Sequence, residues 1–349
     1  MRVLLVPTST TLRGVKRFVP RAWSLAVALL GCASERPGVL AVAADVPVLG
    51  DAPPDVPADA SVSADASLGA DAGAPSACAR STALDDAPAL SSPLLSEVSG
   101  VVESARRPGV FFVHNDSGDS ARFFAIDDTG ALRAEYRLTG ARAVDWEDLA
   151  IGPCDEGTCL YLGDIGDNGL NRDDYRVIRV AEPEVPDAPA GAPIELAWTA
   201  LPFRYPDARH NAESLVADPA TGDLYVITKV ERGLSDVFRF PRASHGAATQ
   251  TLARVGSLPL PPSAGVLVTG ASVSPGGRAL LVRTYLKLYL YERGETDPFA
   301  ALFAATPQEV AVRAERQGEA VTWRRDGRGY VTVSEGVGAR LNRYRCDDP

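Results

Sequence analysis

Asp145-Trp146-Glu147-Asp148-Leu149-Ala150, Asn211-Ala212-Glu213-Ser214-Leu215-Val216 and Gln317-Gly318-Glu319-Ala320-Val321-Thr322 are three copies of one phrase, an acidic residue entering a short apolar strand. Two further copies, Val98-Ser99-Gly100-Val101-Val102 and Gly270-Ala271-Ser272-Val273-Ser274, keep the strand and lose the acid. With Ser99, Glu147, Glu213, Ala271 and Glu319 as equivalents, the copies stand 48, 66, 58 and 48 residues apart. Repeats of that length built from strands alone point to the blades of a β-propeller.

The strands that follow each copy agree. In the fourth, 271–274 leads through Pro275-Gly276-Gly277 to 279–284 and 286–292; in the fifth, 320–324 meets Asp326-Gly327, then 330–334 and 340–345. The third runs 213–218, a Pro219-Ala220-Thr221-Gly222 turn, 224–228 and 237–240. Runs of β-branched and aromatic residues broken by Gly and Pro turns are hairpin signals, and no long helical period competes with them. About 270 residues over five units leaves about 54 for each, enough for a four-stranded blade. The last copy runs out at Cys346, so a strand from 79–95 is expected to complete its sheet, which leaves no open edge in the ring. Five blades are expected; six stay open, because 168–206 is longer than one blade needs.

Four cysteines follow Cys32. Cys154 and Cys159 flank a turn-like Asp-Glu-Gly-Thr and form a local bridge, which pairs Cys78 with Cys346 across the ends of the core. Zinc is the rival reading, but no His lies near either pair and the spacing is not Cys-x2-Cys.

Ahead of the core, residues 1–32 read as an export signal: Arg2, Arg13, Lys16, Arg17 and Arg21 precede an apolar run over 22–30 that ends in Leu29-Leu30-Gly31-Cys32. The run is too short to span a bilayer stably. Its terminal Cys resembles the lipidation site of bacterial lipoproteins, which implies a protein tethered to the cell envelope, in a Gram-negative cell to the outer membrane. Residues 33–77 are mostly Ala, Asp, Pro, Val, Ser and Gly and are expected to be a flexible acidic tether. The propeller then occupies 78–349. A net charge of −10 and a pI near 4.9 argue against a nucleic-acid partner, and a monomer is expected.

Innermost strands line a propeller's channel, so Glu147, Glu213 and Glu319 are expected to converge there. Clustered carboxylates repel unless a cation sits among them; the blander role is a hydrogen bond from each to backbone amides of a neighbouring blade. A second recurrence, His114-Asn115-Asp116-Ser117-Gly118-Asp119 and Gly163-Asp164-Ile165-Gly166-Asp167-Asn168, repeats Asp-x-Gly-Asp at the end of the next strand. Asx turns alone account for such pairs, but hard oxygen donors beside tight turns also suit Ca²⁺. The candidate metal ligands are therefore Asp116, Glu147, Asp164, Glu213 and Glu319. Asn115, Lys229, Arg283 and Tyr285 are candidates for an anionic small molecule or envelope component, and His114 for a general base. Arg122 and Arg172 are expected to be solvated, and Trp146 to pack between blades. No Gly-x-Ser-x-Gly elbow, phosphate loop, His-Glu-x-x-His or dinucleotide fingerprint is present.

The 114–119, 145–150 and 163–168 phrases resemble those of uncharacterised secreted bacterial propeller proteins over about 97–346. More loosely the chain is similar to calcium-dependent propeller hydrolases of the phytase-like and gluconolactonase-like families. That likeness implies Ca²⁺ at the channel mouth. The first expectation is a lipid-anchored cell-envelope propeller that binds a ligand at its channel mouth with a divalent cation; the alternative is metal-dependent hydrolysis of a phosphoester or lactone. A fold alone does not choose between them.

Overall fold

The structure, a computed structural model, describes residues 77–155, 157–189, 191–231, 234–261 and 267–347. The expected signal with Cys32, and the tether as far as residue 76, lie outside the described residues. Among the described residues helix occurs only as three short 3-10 segments, and no helix is long and apolar enough to cross a membrane.

The strands fall into five sheets. β1 (Ser81–Ala83) comes first in the chain. The first blade holds β2 (Val98–Glu103), β3 (Val110–Asn115), β4 (Arg122–Asp127) and β5 (Leu132–Leu138). The second holds β6 (Trp146–Cys154), β7 (Gly157–Asp164) and β8 (Arg176–Ala181), followed in the chain by β9 (Ile194–Leu196) and β10 (Thr199–Arg204). The third is β11 (Ala212–Ala217), β12 (Leu224–Thr228) and β13 (Ser235–Phe240), with β14 (Gln250–Thr251) preceding its outer strand β15 (Ala253–Leu258). The fourth is β16 (Val268–Val273), β17 (Ala279–Thr284), β18 (Leu288–Glu292) and β19 (Gln308–Glu309). The fifth is β20 (Gly318–Trp323), β21 (Gly329–Ser334) and β22 (Asn342–Cys346), with β1 as its outermost strand.

The innermost strands β2, β6, β11, β16 and β20 contact one another in that order, and β20 returns to β2. Five apolar cores fill the five seams. Phe112, Phe123 and Tyr136 meet Leu160 and Ile178 between blades one and two; Tyr161 and Phe203 meet Leu215 and Phe238 between two and three. Blades three and four, four and five, and five and one share the other three cores. Burial on both faces explains why strands such as Val110–Asn115 and Leu224–Thr228 are continuous buried runs instead of alternating ones. Trp146 lies in the seam between blades one and two.

The protein is thus an all-β, five-bladed propeller. The surplus over 168–206 that left a sixth blade open is used to lace two blades together. β9 returns to add a parallel strand to β5 of blade one, while β10 completes blade two against β8 and carries β14 in parallel at its edge. The returning segment is held by blade-one groups: Ser104 Oγ and the Ala105 amide donate to Glu182, and Arg107 pairs with Asp187.

Closure follows the expected route. Ser81 is paired with Cys346 and Ala83 with Tyr344, and the Cys78–Cys346 disulfide joins the two ends beside that pairing. Cys154–Cys159 closes the β6–β7 hairpin.

Candidate functional site

Every innermost strand breaks register at its second residue. The pairing skips between Val98 and Gly100, Trp146 and Asp148, Ala212 and Ser214, Val268 and Gly270, and Gly318 and Ala320. The bulged residues are therefore Ser99, Glu147, Glu213, Thr269 and Glu319. A bulge re-aims a side chain that regular pairing would commit to one face. In the fourth blade the equivalent residue is Thr269; Ala271, taken as equivalent from the sequence, lies two places further along. The two hydroxyls fill the backbone-bonding role, but with carbonyls: Ser99 Oγ donates to the Glu147 carbonyl and Thr269 Oγ1 to that of Gly318 (2.9 Å), in each case on the next blade.

The three acids of the ring converge. Glu147 and Glu213 share a hydrogen bond between carboxyl groups, and Glu319 feels the charge of Glu213. Burial, then Glu213, Asp116 and Asp145, push the Glu147 carboxyl well above the ordinary range. Burial and Glu213 raise Glu319 to about 8. Its Oε1 accepts from Gln317 Nε2 (3.1 Å), while Oε2 is buried with no hydrogen-bond partner among the described residues. Further out, Glu335 is raised to about 7 by burial and by Glu97, to which it is hydrogen-bonded.

Asp116 and Asp145 join Glu147, one oxygen from each lying within 4.8 Å of the others. Burial raises both Asp116 and Asp145. Gly166 makes the approach feasible, because a Cβ there would fall on Glu147 Oε1 and on Asp145 Oδ2. That is the use of the Gly in the second Asp-x-Gly-Asp. Asp145 was not among the sequence candidates, although it opens the quoted phrase.

The remaining motif acids brace loops. Asp164 is fully buried; its Oδ1 accepts from Arg172 (2.7 Å) and the Asp145 amide (3.0 Å), its Oδ2 from Arg176 (2.7 Å). With those bonds made, Asp164 faces arginines and not the Asp116, Asp145, Glu147 group. Arg172, expected in solvent, is buried between Asp164 and the Gly166 carbonyl. Asp167 accepts from Tyr175 Oη and from the amides of Asn171 and Arg172. Asp119 holds Arg122 and Asn115. Arg122, half-buried, also pairs with Glu135. Asn115 is itself consumed, donating to the Leu94 carbonyl and accepting from the Glu97 amide.

His114 and Arg283 occupy equivalent registers, opposite Gly100 and Gly270. Both are fully buried beside a glycine whose Cβ would collide with them, Gly100 for His114 and Gly318 for Arg283. The His114 ring stands edge-on to Trp146 (5.7 Å), and burial lowers its pKa, so it is neutral. Arg283 pairs with the buried Glu315 (2.7 Å). Neither reaches the mouth.

Lys229 does. Its Nζ lies 2.9 Å from Glu213 and donates to Tyr285 Oη (2.8 Å), and it sits over the Tyr285 ring. A pocket of about 530 Å³ opens there, lined by Lys229, Tyr285, His210, Asn211, Leu170 and neighbours.

Asp148 was overlooked altogether. At the position after the bulge the blades carry Gly100, Asp148, Ser214, Gly270 and Ala320, so a lone carboxylate stands among small residues. It points across the channel, with Oδ2 accepting from the amides of Leu215 (2.9 Å) and Ala271 (3.3 Å), and Oδ1 from Leu149 (2.8 Å). The signal was present in that column of small residues, once the bulge register is known.

Neither a protein-family model nor a curated protein matches the sequence.

Proposed function

We propose that the protein is a binding module whose channel mouth takes up a divalent cation, Ca²⁺ first, on Asp116, Asp145 and Glu147, with Glu213 and Glu319 behind them. The supporting observation is a charge imbalance built into the fold. Glu97, Asp116, Asp145, Glu147, Glu213, Glu319 and Glu335 lie together at one end of the channel, and among the described residues Lys229 beside Glu213 and Arg172 near Asp145 are the cations that oppose them. Such a cluster is stabilised by a metal that replaces shared protons. Oxygen-only donors from loop and bulge positions match Ca²⁺ better than a metal that prefers nitrogen or sulfur. Glu319 Oε2 is a buried oxygen that no hydrogen-bond donor reaches among the described residues, so its lone pairs are available to a cation.

Lys229 and Arg283 are each taken by a carboxylate, so an anionic small molecule or envelope component enters this reading as a further ligand of the bound cation. The hydrolase alternative loses its expected base, because His114 is sealed in a seam. Cys32 carries the lipid in this proposal, the tether over 33–77 spaces the 78–349 propeller from the outer membrane, and the protein acts as a monomer.

Calcium titration by calorimetry on wild type and Glu147→Gln tests the site. Binding that the substitution weakens at least about 10-fold is expected; no heat in wild type, or equal affinity in both, rejects it. Mass spectrometry of membrane-extracted protein should find a diacylglycerol-modified Cys32, and an unmodified thiol rejects the anchor.

A further inference from the structure

Six large apolar side chains are exposed among the described residues: Leu94, Leu170, Leu234, Val255, Leu286 and Val337. Val255 lies on the outer strand of blade three. The other five share one end of the wheel, as the strand pairing shows. Each second strand ends opposite the start of its innermost strand: Asp164 against Trp146, Thr228 against Ala212, Thr284 against Val268, Ser334 against Gly318. Leu170, Leu234, Leu286 and Val337 follow those second-strand ends in blades two to five, one to a blade. Leu94 lies on the segment leading into β2, at the same end. This is the end at which the acids converge. Among the described residues, the opposite end exposes no such side chain.

Single exposed leucines are ordinary, but one-sided placement around a charged centre is not scatter. An apolar rim excludes water from whatever occupies the centre, the arrangement that makes a central charged contact count in protein recognition. The centre favours a positive charge. A pocket of about 300 Å³ under Leu94 is lined by Glu97, Asn115, Asp116, Asp119 and Arg122; Arg122 is paired with Asp119 and Glu135, which leaves Glu97 and Asp116 as the acids without an arginine. Glu335 stands beside Glu97, where the Gly336 amide donates to the Ser96 carbonyl. The mouth already accommodates one ammonium, that of Lys229 between Glu213 and the Tyr285 ring.

We infer that the mouth face docks a polypeptide partner that presents a lysine or arginine side chain within an apolar segment. The basic group enters beside Glu97 and Glu335, and the flanking apolar residues pack on Leu94, Leu170, Leu286 and Val337. An anionic bilayer meets the same leucines but is repelled by the carboxylates. This inference goes beyond the metal site and does not require it, since Glu97 and Glu335 lie outside the Asp116, Asp145, Glu147 group.

The test is selection of a displayed random dodecapeptide library on the full-length chain in chelator, then titration of synthetic versions of the selected peptides. Enrichment of Lys or Arg flanked by Leu, Ile or Phe is expected. Replacing the peptide lysine by norleucine, or the protein's Leu170, Leu286 and Val337 by Ser together, should each weaken binding at least about 10-fold. Glu335→Gln should weaken it as well. These side chains are exposed, and an unchanged melting temperature verifies that the triple variant is folded. No enrichment, or peptides indifferent to both changes, overturns the inference. So does sedimentation with phosphatidylglycerol vesicles that depends on the same leucines, since that outcome assigns the face to a membrane. Peptide binding in chelator separates this result from the fate of the calcium site.

Discussion

Asp148 on the second blade accepts the backbone amide of Ala271 on the fourth, 123 residues away, through the same oxygen that takes the Leu215 amide of the third. One side chain thus ties three blades together through the amides of Leu149, Leu215 and Ala271. Burial raises its pKa, and the three amides that bond to it oppose that rise.

Asp148→Ala is expected to cost ~3–5 kcal/mol, because it strands buried amides on three strands, each of which costs ~1–3 kcal/mol when unpaired. Asp148→Asn keeps an acceptor and should lose about half as much. Urea denaturation at neutral pH measures both, and an Ala variant with the wild-type midpoint would mean that the tie carries no weight.

Without metal, the mouth should make stability fall as pH rises. Glu319 is raised from 4.5 to about 8 and Glu335 from 4.5 to about 7, so the folded protein holds protons that the unfolded chain releases. Their contribution is fully present at acid pH below about 4.5 and is lost as pH climbs through 7 and 8. Glu319 alone can supply at most about 5 kcal/mol of that change. In chelator the urea midpoint should drop between pH 5 and pH 8, with Ca²⁺ restoring it at pH 8 and Glu319→Gln flattening the slope. A midpoint that rises across this window contradicts the charge assignment.

How much of this was readable beforehand depends on the distance over which the causes act. Blade number, the β1 closure and both disulfides followed from local strand and turn chemistry plus cysteine arithmetic. So did the convergence of Glu147, Glu213 and Glu319, because equivalent strand positions in a wheel face one axis. The fourth blade was misregistered by two residues because Gly270-Ala271 mimics Gly318-Glu319. Those glycines serve different clearances: Gly318 makes room for Arg283, Gly270 for the Glu319 carbonyl. Arg283 and Asp164 look like rim charges in sequence, yet each finds a partner outside its own strand, Glu315 for one and two arginines for the other. Such pairings are set by tertiary packing, which no local pattern records.

The ring should depend on its covalent clasp. Cys78 and Cys346 are separated by 268 residues, and closing so long a loop stabilises by ~5–6 kcal/mol in the chain-entropy account. Cys346→Ser should lower the unfolding free energy from urea denaturation by about that amount and first expose amides of β1 and β22 in hydrogen exchange. Cys154→Ser, which opens a five-residue separation within one hairpin, should cost distinctly less. Equal losses from the two would show that the clasp is not what holds the ends.

Arg283 offers the sharpest separation of scaffold from site. Its guanidinium pairs with Glu315, whose other oxygen accepts from Thr332 and Asn342, and all of these lie in the seam between blades four and five. Removing one partner of a buried pair leaves the other charge uncompensated, so Arg283→Met should destabilise by ~3–5 kcal/mol. Calcium affinity, measured well below the variant's melting temperature, should stay within about 2-fold of wild type. The double variant Arg283→Met with Glu315→Leu should recover most of the lost stability, since an apolar pair can replace a buried ionic one. A large loss of ligand affinity with stability intact would return Arg283 to the binding site.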